Sequence, residues 1–286
     1  MNTDPGNSTT AGHVPVHHRI ADALRAQIRS GDLAEGDQLP TIRELHQQWG
    51  CAPLTARNAV DVLKAEGLVT GGRGRPPKVR VKPERQSIST GMAAEQKRLV
   101  LAPASERRQR GAIEMVAGIP IDDIVSTHRY DMVEATEELA REFDISVGTV
   151  LQRRNYEMHT HEGRRVAFST SYIPAYIVEK NPDLLDEKNE PWPGGHQHQL
   201  YTAGVEIGTM KRTVIAIEPT TRDRQDWQID QGTPMLKIRS KSIDIDGRVV
   251  ELSDAVYPAD RTEVVIVEDL PRWPDGYPRF SKQAGS

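Results

Sequence analysis

Residues 36–75 read GDQLPTIRELHQQWGCAPLTARNAVDVLKAEGLVTGGRGR. Two helical patterns flank a short Gly-centred turn, and a glycine- and arginine-rich segment follows. Thr41-Ile42-Arg43-Glu44 fits a capping box: the Thr hydroxyl takes one free backbone N–H and the Glu three residues on takes another. Leu45 and Trp49 continue an apolar stripe that Gly50 ends. Pro53 suits the first position of a second helix, where its missing N–H costs nothing. Ala56, Ala59, Val60 and Leu63 form its inward face, and Gly67 closes it. Leu68-Val69 and Val79-Val81 then predict two short strands around the loop GGRGRPPK.

Upstream, Ile20, Ala23, Leu24 and Ile28 lie at helical spacing as far as Ser30-Gly31, a left-handed stop. The two helices of residues 36–75, their four-residue turn and the hairpin make a winged helix-turn-helix. In that arrangement the second helix of the pair enters the DNA major groove by its N-terminal end. Thr55, Arg57 and Asn58 lie off the apolar stripe and are the predicted readers, with Arg43 on the preceding helix. Arg73 and Arg75, flanking Gly74 at the wing tip, suit phosphates or the minor groove.

Charge agrees with this division. The whole chain of 286 residues has a formal net charge of −4. Residues 15–80 hold ten cationic and seven acidic side chains, and residues 73–85 hold six cationic against one acidic. A nucleic-acid site is therefore local, and the remainder is acidic.

LPTIRELHQQWGCAPLTARNAVDVLKAEGLV resembles the DNA-binding signature of the GntR family of bacterial repressors. Arg43-Glu44-Leu45 match the family pattern, whereas Thr41 and Ile42 replace its usual Ser-Glu. The resemblance implies DNA contacts by Arg43, Thr55 and Arg57, with Gly74 at the wing tip. Ala52 stands where a Ser or Thr usually caps the recognition helix, and Pro53 where some members carry a contacting arginine. Both departures imply a distinct operator.

At 37% apolar residues the length allows about two domains with real cores. No run approaches the ~20 apolar residues of a membrane span. MNTDPGNSTTAGH shows no signal peptide and reads as a disordered leader. A single cysteine, Cys51, excludes an internal disulfide framework and a multi-cysteine zinc site. A cytoplasmic, nucleoid-associated location follows as the expectation. The boundaries expected are a leader at 1–14, the winged helix-turn-helix at 15–81, a polar connector at 82–112, a second domain at 113–268 and a tail at 269–286. In the connector, Arg107, Arg108 and Arg110 read as a solvated helix face, with phosphate contact as the alternative.

The second half changes period. GIPIDDIVSTHRYDMVEA, TVLQRRNYEMHTHEGRRVAFSTSYIP, GTMKRTVIAIEP, PMLKIRSKSIDIDGRVVELSDAVYP and TEVVIVED read as strands, with Asp246-Gly247 at a hairpin turn. EATEELAREFDIS, HQLYTAGVEIG and TTRDRQDWQI read as helices. The class is α+β with a mostly antiparallel sheet. Arg153-Arg154-Asn155-Tyr156, Ser169-Thr170-Ser171-Tyr172-Ile173-Pro174 and Val250-Glu251 followed by Tyr257-Pro258 resemble the UTRA effector domain of the HutC subgroup, with its chorismate-lyase-like fold.

That resemblance implies one small effector per domain, lined by Arg154, Tyr156, Ser169, Ser171, Glu251 and Tyr257. Gly195, His196 and Gln199 begin a helix whose free N–H groups suit an anionic ligand group. Arg154 points the same way. For Glu251, a plain ion pair with Arg239 or Lys241 is the alternative. Of nine histidines, His159/His161 and His196/His198 come in spaced pairs, but a metal site needs more ligands converging than such pairs supply. No metal and no cofactor are expected.

The expectation is a homodimeric repressor that leaves a palindromic operator on double-stranded DNA when a small molecule binds. The competing expectations are a constitutive DNA binder whose second domain only dimerises, and a lyase-like enzyme. No nucleophile elbow, phosphate-binding glycine loop or HExxH motif supports the last.

Overall fold

The computed structural model describes residues 14–71, 76–83, 85–89, 91–110, 124–268 and 270. Arg73, Gly74 and Arg75, almost all of the leader and nearly all of the tail lie outside the described residues.

Three helices open the chain: α1 (Val16–Ser30), α2 (Ile42–Trp49) and α3 (Pro53–Ala65). The local signals behave as their chemistry dictates. Thr41 Oγ1 accepts from Glu44 N at 3.2 Å while the Glu44 carboxylate accepts from Thr41 N at 2.7 Å. Gly31 and Gly50 take left-handed conformations at the ends of α1 and α2. Pro53 starts α3, and Ala52 supplies no side-chain cap. The apolar stripes of all three helices meet in one core of Ile20, Leu24, Leu45, Ala59, Val60 and Leu63. A hairpin of β1 (Val69–Thr70) and β2 (Lys78–Val79) closes it, with Val69 opposite Val79.

The segment read as a polar connector has structure of its own. β3 (Gln86–Ser89) pairs in parallel with β10 (Thr262–Val265). The terminal strand thus joins β3 rather than the main sheet. α4 (Met92–Val100) and α5 (Ala104–Arg110) follow, separated by Pro103. α4 buries Gln96, Leu99 and Val100, a pattern masked in sequence by the charged residues between them.

The second half is built on six antiparallel strands: β4 (Ile124–Glu134), β5 (Val150–Thr160), β6 (Arg165–Pro174), β7 (Ile207–Ile217), β8 (Met235–Asp244) and β9 (Val249–Pro258). Their spatial order is β4-β5-β6-β9-β8-β7. Two three-stranded meanders are therefore joined through β6 and β9. α6 (Glu137–Phe143) covers one face, where Ala140 and Phe143 pack with Leu151 and Leu252. α7 (Ala175–Val178) and α8 (Gly195–Thr202) pack on Ile173 and Ile207 from the other side. α9 (Thr221–Asp226) links β7 to β8 and carries its own capping box from Thr220 and Asp223.

The winged-helix part docks on this sheet at the turn before β8. Arg80, just past β2, pairs with Asp260 and places Nε 3.2 Å from Asp230 Oδ2. Beside it the C-terminal end of α3 meets Gly232. A Cβ at Gly232, where φ is +82°, would stand 2.3 Å from the Ala65 carbonyl oxygen. Gly232→Ala is therefore expected to open this contact at a cost of about 1–3 kcal/mol. Hydrogen exchange should then lose protection at Gly67 and Leu68 and keep it at Ala59 and Val60. Unchanged protection would mean that the two parts do not touch there in solution.

Candidate functional site

Two surfaces carry chemistry. On α3 the core-facing residues Ala56, Ala59, Val60 and Leu63 leave the opposite stripe free. Arg57 and Asn58 are exposed on it, Thr55 is half-buried, and Arg43 is exposed at the start of α2. No hydrogen bond or ion pair engages Arg57 among the described residues. Sequence reading passed over Leu54, which is 66% exposed in the first turn of α3. An apolar side chain there suits a thymine methyl group. Its signal was legible: a leucine one residue after an N-terminal proline, off the buried stripe.

The second surface is a cavity of about 720 Å³ on the sheet face opposite α6. Tyr156 from β5, Ser169 and Ser171 from β6, and Glu251 and Tyr257 from β9 line its floor. Gly195, His196 and Gln199 from α8 line it from above. Residues on adjacent strands stand in rows. Ser171 lies opposite Ser253, Ser253 opposite Ser240, and Ser240 opposite Arg212. Sequence reading missed Ser240, Ser242 and Ser253, although period-2 alternation on either side of the Asp246-Gly247 turn could have found them. It also missed Ile88, Met92 and Arg107, which reach the cavity from β3, α4 and α5. Arg107 thus turns toward the cavity rather than lying on a solvated face, and its Nη1 donates to the Ala102 carbonyl oxygen. No local pattern places that segment over the sheet.

Arg154 does not line the cavity. It is 1% exposed, and its guanidinium is used internally. Nε donates to Gln152 Oε1 at 2.7 Å, Nη1 to Gln199 Oε1 at 2.7 Å, and Nη2 to the Leu184 carbonyl oxygen at 3.1 Å. Its carbon lies 4.7 Å from the Tyr130 ring centroid, a cation–π geometry. Gln199 in turn donates to Glu190 Oε1 at 2.6 Å. Glu190 also accepts from Tyr130 Oη, from Tyr156 Oη at 3.0 Å and from Trp192 N at 2.7 Å. Arg154 therefore positions Gln199, and Glu190 ties the loop before α8 to β4 and β5.

The electrostatics follow from these contacts. Burial pushes the Glu190 carboxyl up, but the hydrogen bonds from Tyr130, Trp192, Gln199 and Tyr156 outweigh it and hold the group below its ordinary value. Burial raises the Tyr156 and Tyr257 phenols, so both stay neutral. Burial, then nearby Arg107, lowers His198, whose Nδ1 accepts from Trp192 Nε1 at 2.8 Å. Glu251 accepts from Ser242 Oγ at 3.1 Å and lies 3.9 Å from His196 Nε2. It pairs with neither Arg239, which holds Asp254, nor Lys241, which holds Glu142. Both of those cations lie on the α6 face. His159 lies 3.2 Å from Glu157. Among the described residues no three His, Cys, Asp or Glu side chains converge as metal ligands do.

A pH prediction follows for Glu190. Its folded pKa is depressed, so its stabilisation is fully present above the unfolded value of 4.5 and is lost as pH falls through the folded value. Glu190→Gln should lower Tm at neutral pH and flatten the fall of Tm on acidification. Parallel profiles for variant and wild type would show that the network does not hold an ionised carboxylate.

Comparison with known proteins places this geometry. Residues 17–79 match the model for bacterial regulatory proteins of the gntR family, and residues 125–263 match the UTRA domain. The chain is 28% identical over 259 residues to the uncharacterized HTH-type transcriptional regulator SCO4628 of Streptomyces coelicolor, covering 88% of this chain and 91% of that one. It is 24% identical to the HTH-type transcriptional repressor NagR of Bacillus subtilis, covering 87% and 92% of the two chains. A crystal structure assigned to a GntR-family transcriptional regulator shares the fold, with a TM-score of 0.67 at 24% identity over 90% of this chain and 99% of that one. No helix among the described residues is long and apolar enough to cross a membrane. The chain belongs to the GntR family, as a DNA-binding transcriptional regulator that carries a UTRA domain.

Proposed function

We propose that this protein is a repressor of the HutC subgroup, released from its operator by a small molecule bound in the 720 Å³ cavity. Residues 15–81 are the reading head, 82–112 connect it, and 113–268 bind the effector and dimerise. Two chains pair through their second domains, as twofold symmetry favours. Their α3 helices then read two half-sites of a near-palindrome on chromosomal DNA in the cytoplasm. Arg57 and Asn58 reach base edges, Arg43 and Thr55 set the register, and the wing residues Arg73, Gly74 and Arg75 meet phosphate or the minor groove. The effector contacts Tyr156, Ser169, Ser171, Glu251 and Tyr257 on the floor, and Gly195, His196 and Gln199 above. Arg154 acts through Gln199.

One observation supports the reading most. Ile88, Met92 and Arg107 reach the cavity from the segment that leads out of the head. A ligand lying there touches the connection itself. It shifts operator affinity only by the ratio of its affinities for the two arrangements of the dimer.

A gel-shift on promoter DNA, titrated with small metabolites, tests this. Arg57→Ala should weaken operator binding by about 1–3 kcal/mol and leave the fold intact. Ser171→Ala should keep operator affinity and blunt release by the effector. An operator complex that no compound dissociates would favour a constitutive binder. Full specific binding by Arg57→Ala would remove α3 as the reader.

A further inference from the structure

The cavity also carries information about the chemistry of its ligand. Its volume lies within the about 300–1,000 Å³ of pockets that take drug-sized molecules. Its floor is graded. Toward α8, Ser171 stands opposite Ser253, Ser253 opposite Ser240, and Ser242 opposite Glu251. Toward the other end, Ser169 stands opposite Ala255, Ala255 opposite Ile238, and Met158 opposite Ala167. The register therefore places a half that carries hydroxyls, Glu251 and Arg212 beside a half that is mainly apolar, with Ser169 as its hydroxyl. The apolar half continues upward, because β3, which carries Ile88, pairs with the strand just beyond the end of β9.

Charge is the second observation. Four ionisable side chains other than histidine and tyrosine line the cavity: Arg107, Arg212, Glu190 and Glu251. Their formal charges cancel. Arg154, the cation best placed by sequence for an anion, is spent on Gln152, Gln199 and Leu184. The N-terminal turn of α8, which sequence offered to an anion, already faces one. Glu251 is 5% exposed and lies 3.9 Å from His196 in that turn. A second anion there would meet a carboxylate at low dielectric.

Two unsatisfied atoms complete the pattern. Ser171 Oγ is buried with no partner among the described residues, next to Ser253 and diagonal to Glu251. Arg107 Nε is a buried donor without a partner, and a ligand carbonyl or ether oxygen can satisfy it without bringing a charge. A native buried polar atom without a partner is uncommon and points to a missing one.

We infer that the ligand is an amphipathic molecule of neutral or cationic charge. Its hydrogen-bond-donating head, a hydroxyl or ammonium group, meets Glu251 and Ser171, and its apolar body lies along Ile238, Ala255 and Met158. This inference rests on the cavity being the effector site and adds the class of effector to it.

The test uses the full-length protein, isothermal titration calorimetry and three probes with one apolar body: phenylbutylamine, phenylbutanol and phenylbutanoate. A hexose phosphate serves as the compact anion. The amine and the alcohol should each bind roughly tenfold more tightly than the carboxylate and the hexose phosphate. Glu251→Gln should erase the preference of the amine over the carboxylate. Ile238→Thr should weaken all three phenylbutyl probes alike. Tightest binding by the carboxylate or the hexose phosphate overturns the inference, and so does an amine preference that survives in Glu251→Gln. Absence of binding by every phenylbutyl probe overturns it too. Gel-shifts with the same compounds separate the two ideas. Release of DNA by the hexose phosphate alone would keep the effector site and reject this ligand class. Amine binding that leaves operator affinity unchanged would keep the class and reject the effector role.

Discussion

The pairing of β6 with β9 is the constraint on which the second half depends. It runs from Phe168 opposite Val256 to Tyr172 opposite Leu252, and it joins two meanders that are otherwise far apart in the chain. Because side chains alternate with a period of two, a slip of one residue would send the floor residues of one meander to the α6 face. The apolar pair Tyr172 and Leu252 packs against α6 on the hidden face and opposes such a slip. The register is thus held by burial on one side and expressed as polar chemistry on the other. The serine row across β6, β9 and β8 is its direct product.

A polar clamp holds the other wall. Arg154, Gln199 and Glu190 form a chain of charge-assisted hydrogen bonds from β5 through α8 to the loop before it. Each member saturates the next, and this is the condition under which burying such groups is tolerated. The clamp rigidifies the cavity wall and keeps the Arg154 charge out of the interior, while Glu190 stays on the lining. An arginine buried to 1% exposure, with each guanidinium nitrogen hydrogen-bonded inside the protein, is a structural element, even when its position on a strand resembles that of a ligand-binding residue.

The two halves communicate through short, specific contacts. Arg80 bridges to Asp230 and Asp260, and Gly232 lets two backbones approach. Asp260 lies two residues before β10, and β10 pairs with β3 on the segment leading to α4 and α5. The base of the wing, the parallel strand pair and the cavity roof are therefore linked in one continuous stretch of packed structure. None of these contacts covers Arg57 or Asn58, so the exposed stripe of α3 stays open.

Local chemistry was enough to determine the winged helix-turn-helix. A capping box, an N-terminal proline, terminating glycines and a 3.6-residue apolar period are short-range signals, and each acts within one turn of where it is written. The hairpin at Asp246-Gly247 and the period-2 strands were legible for the same reason. The sequence also singled out Tyr156, Ser169, Ser171, Glu251 and Tyr257, through a family resemblance on β5, β6 and β9. It could not show that Ser240 and Ser253 share a row with Ser171, because that depends on pairing between strands some eighty residues apart. Nor could it withdraw Arg154 from the cavity or bring Ile88, Met92 and Arg107 over it. Those outcomes were decided by the tertiary structure, since burial, partner saturation and the parallel docking of β3 on β10 exist only once distant segments have met.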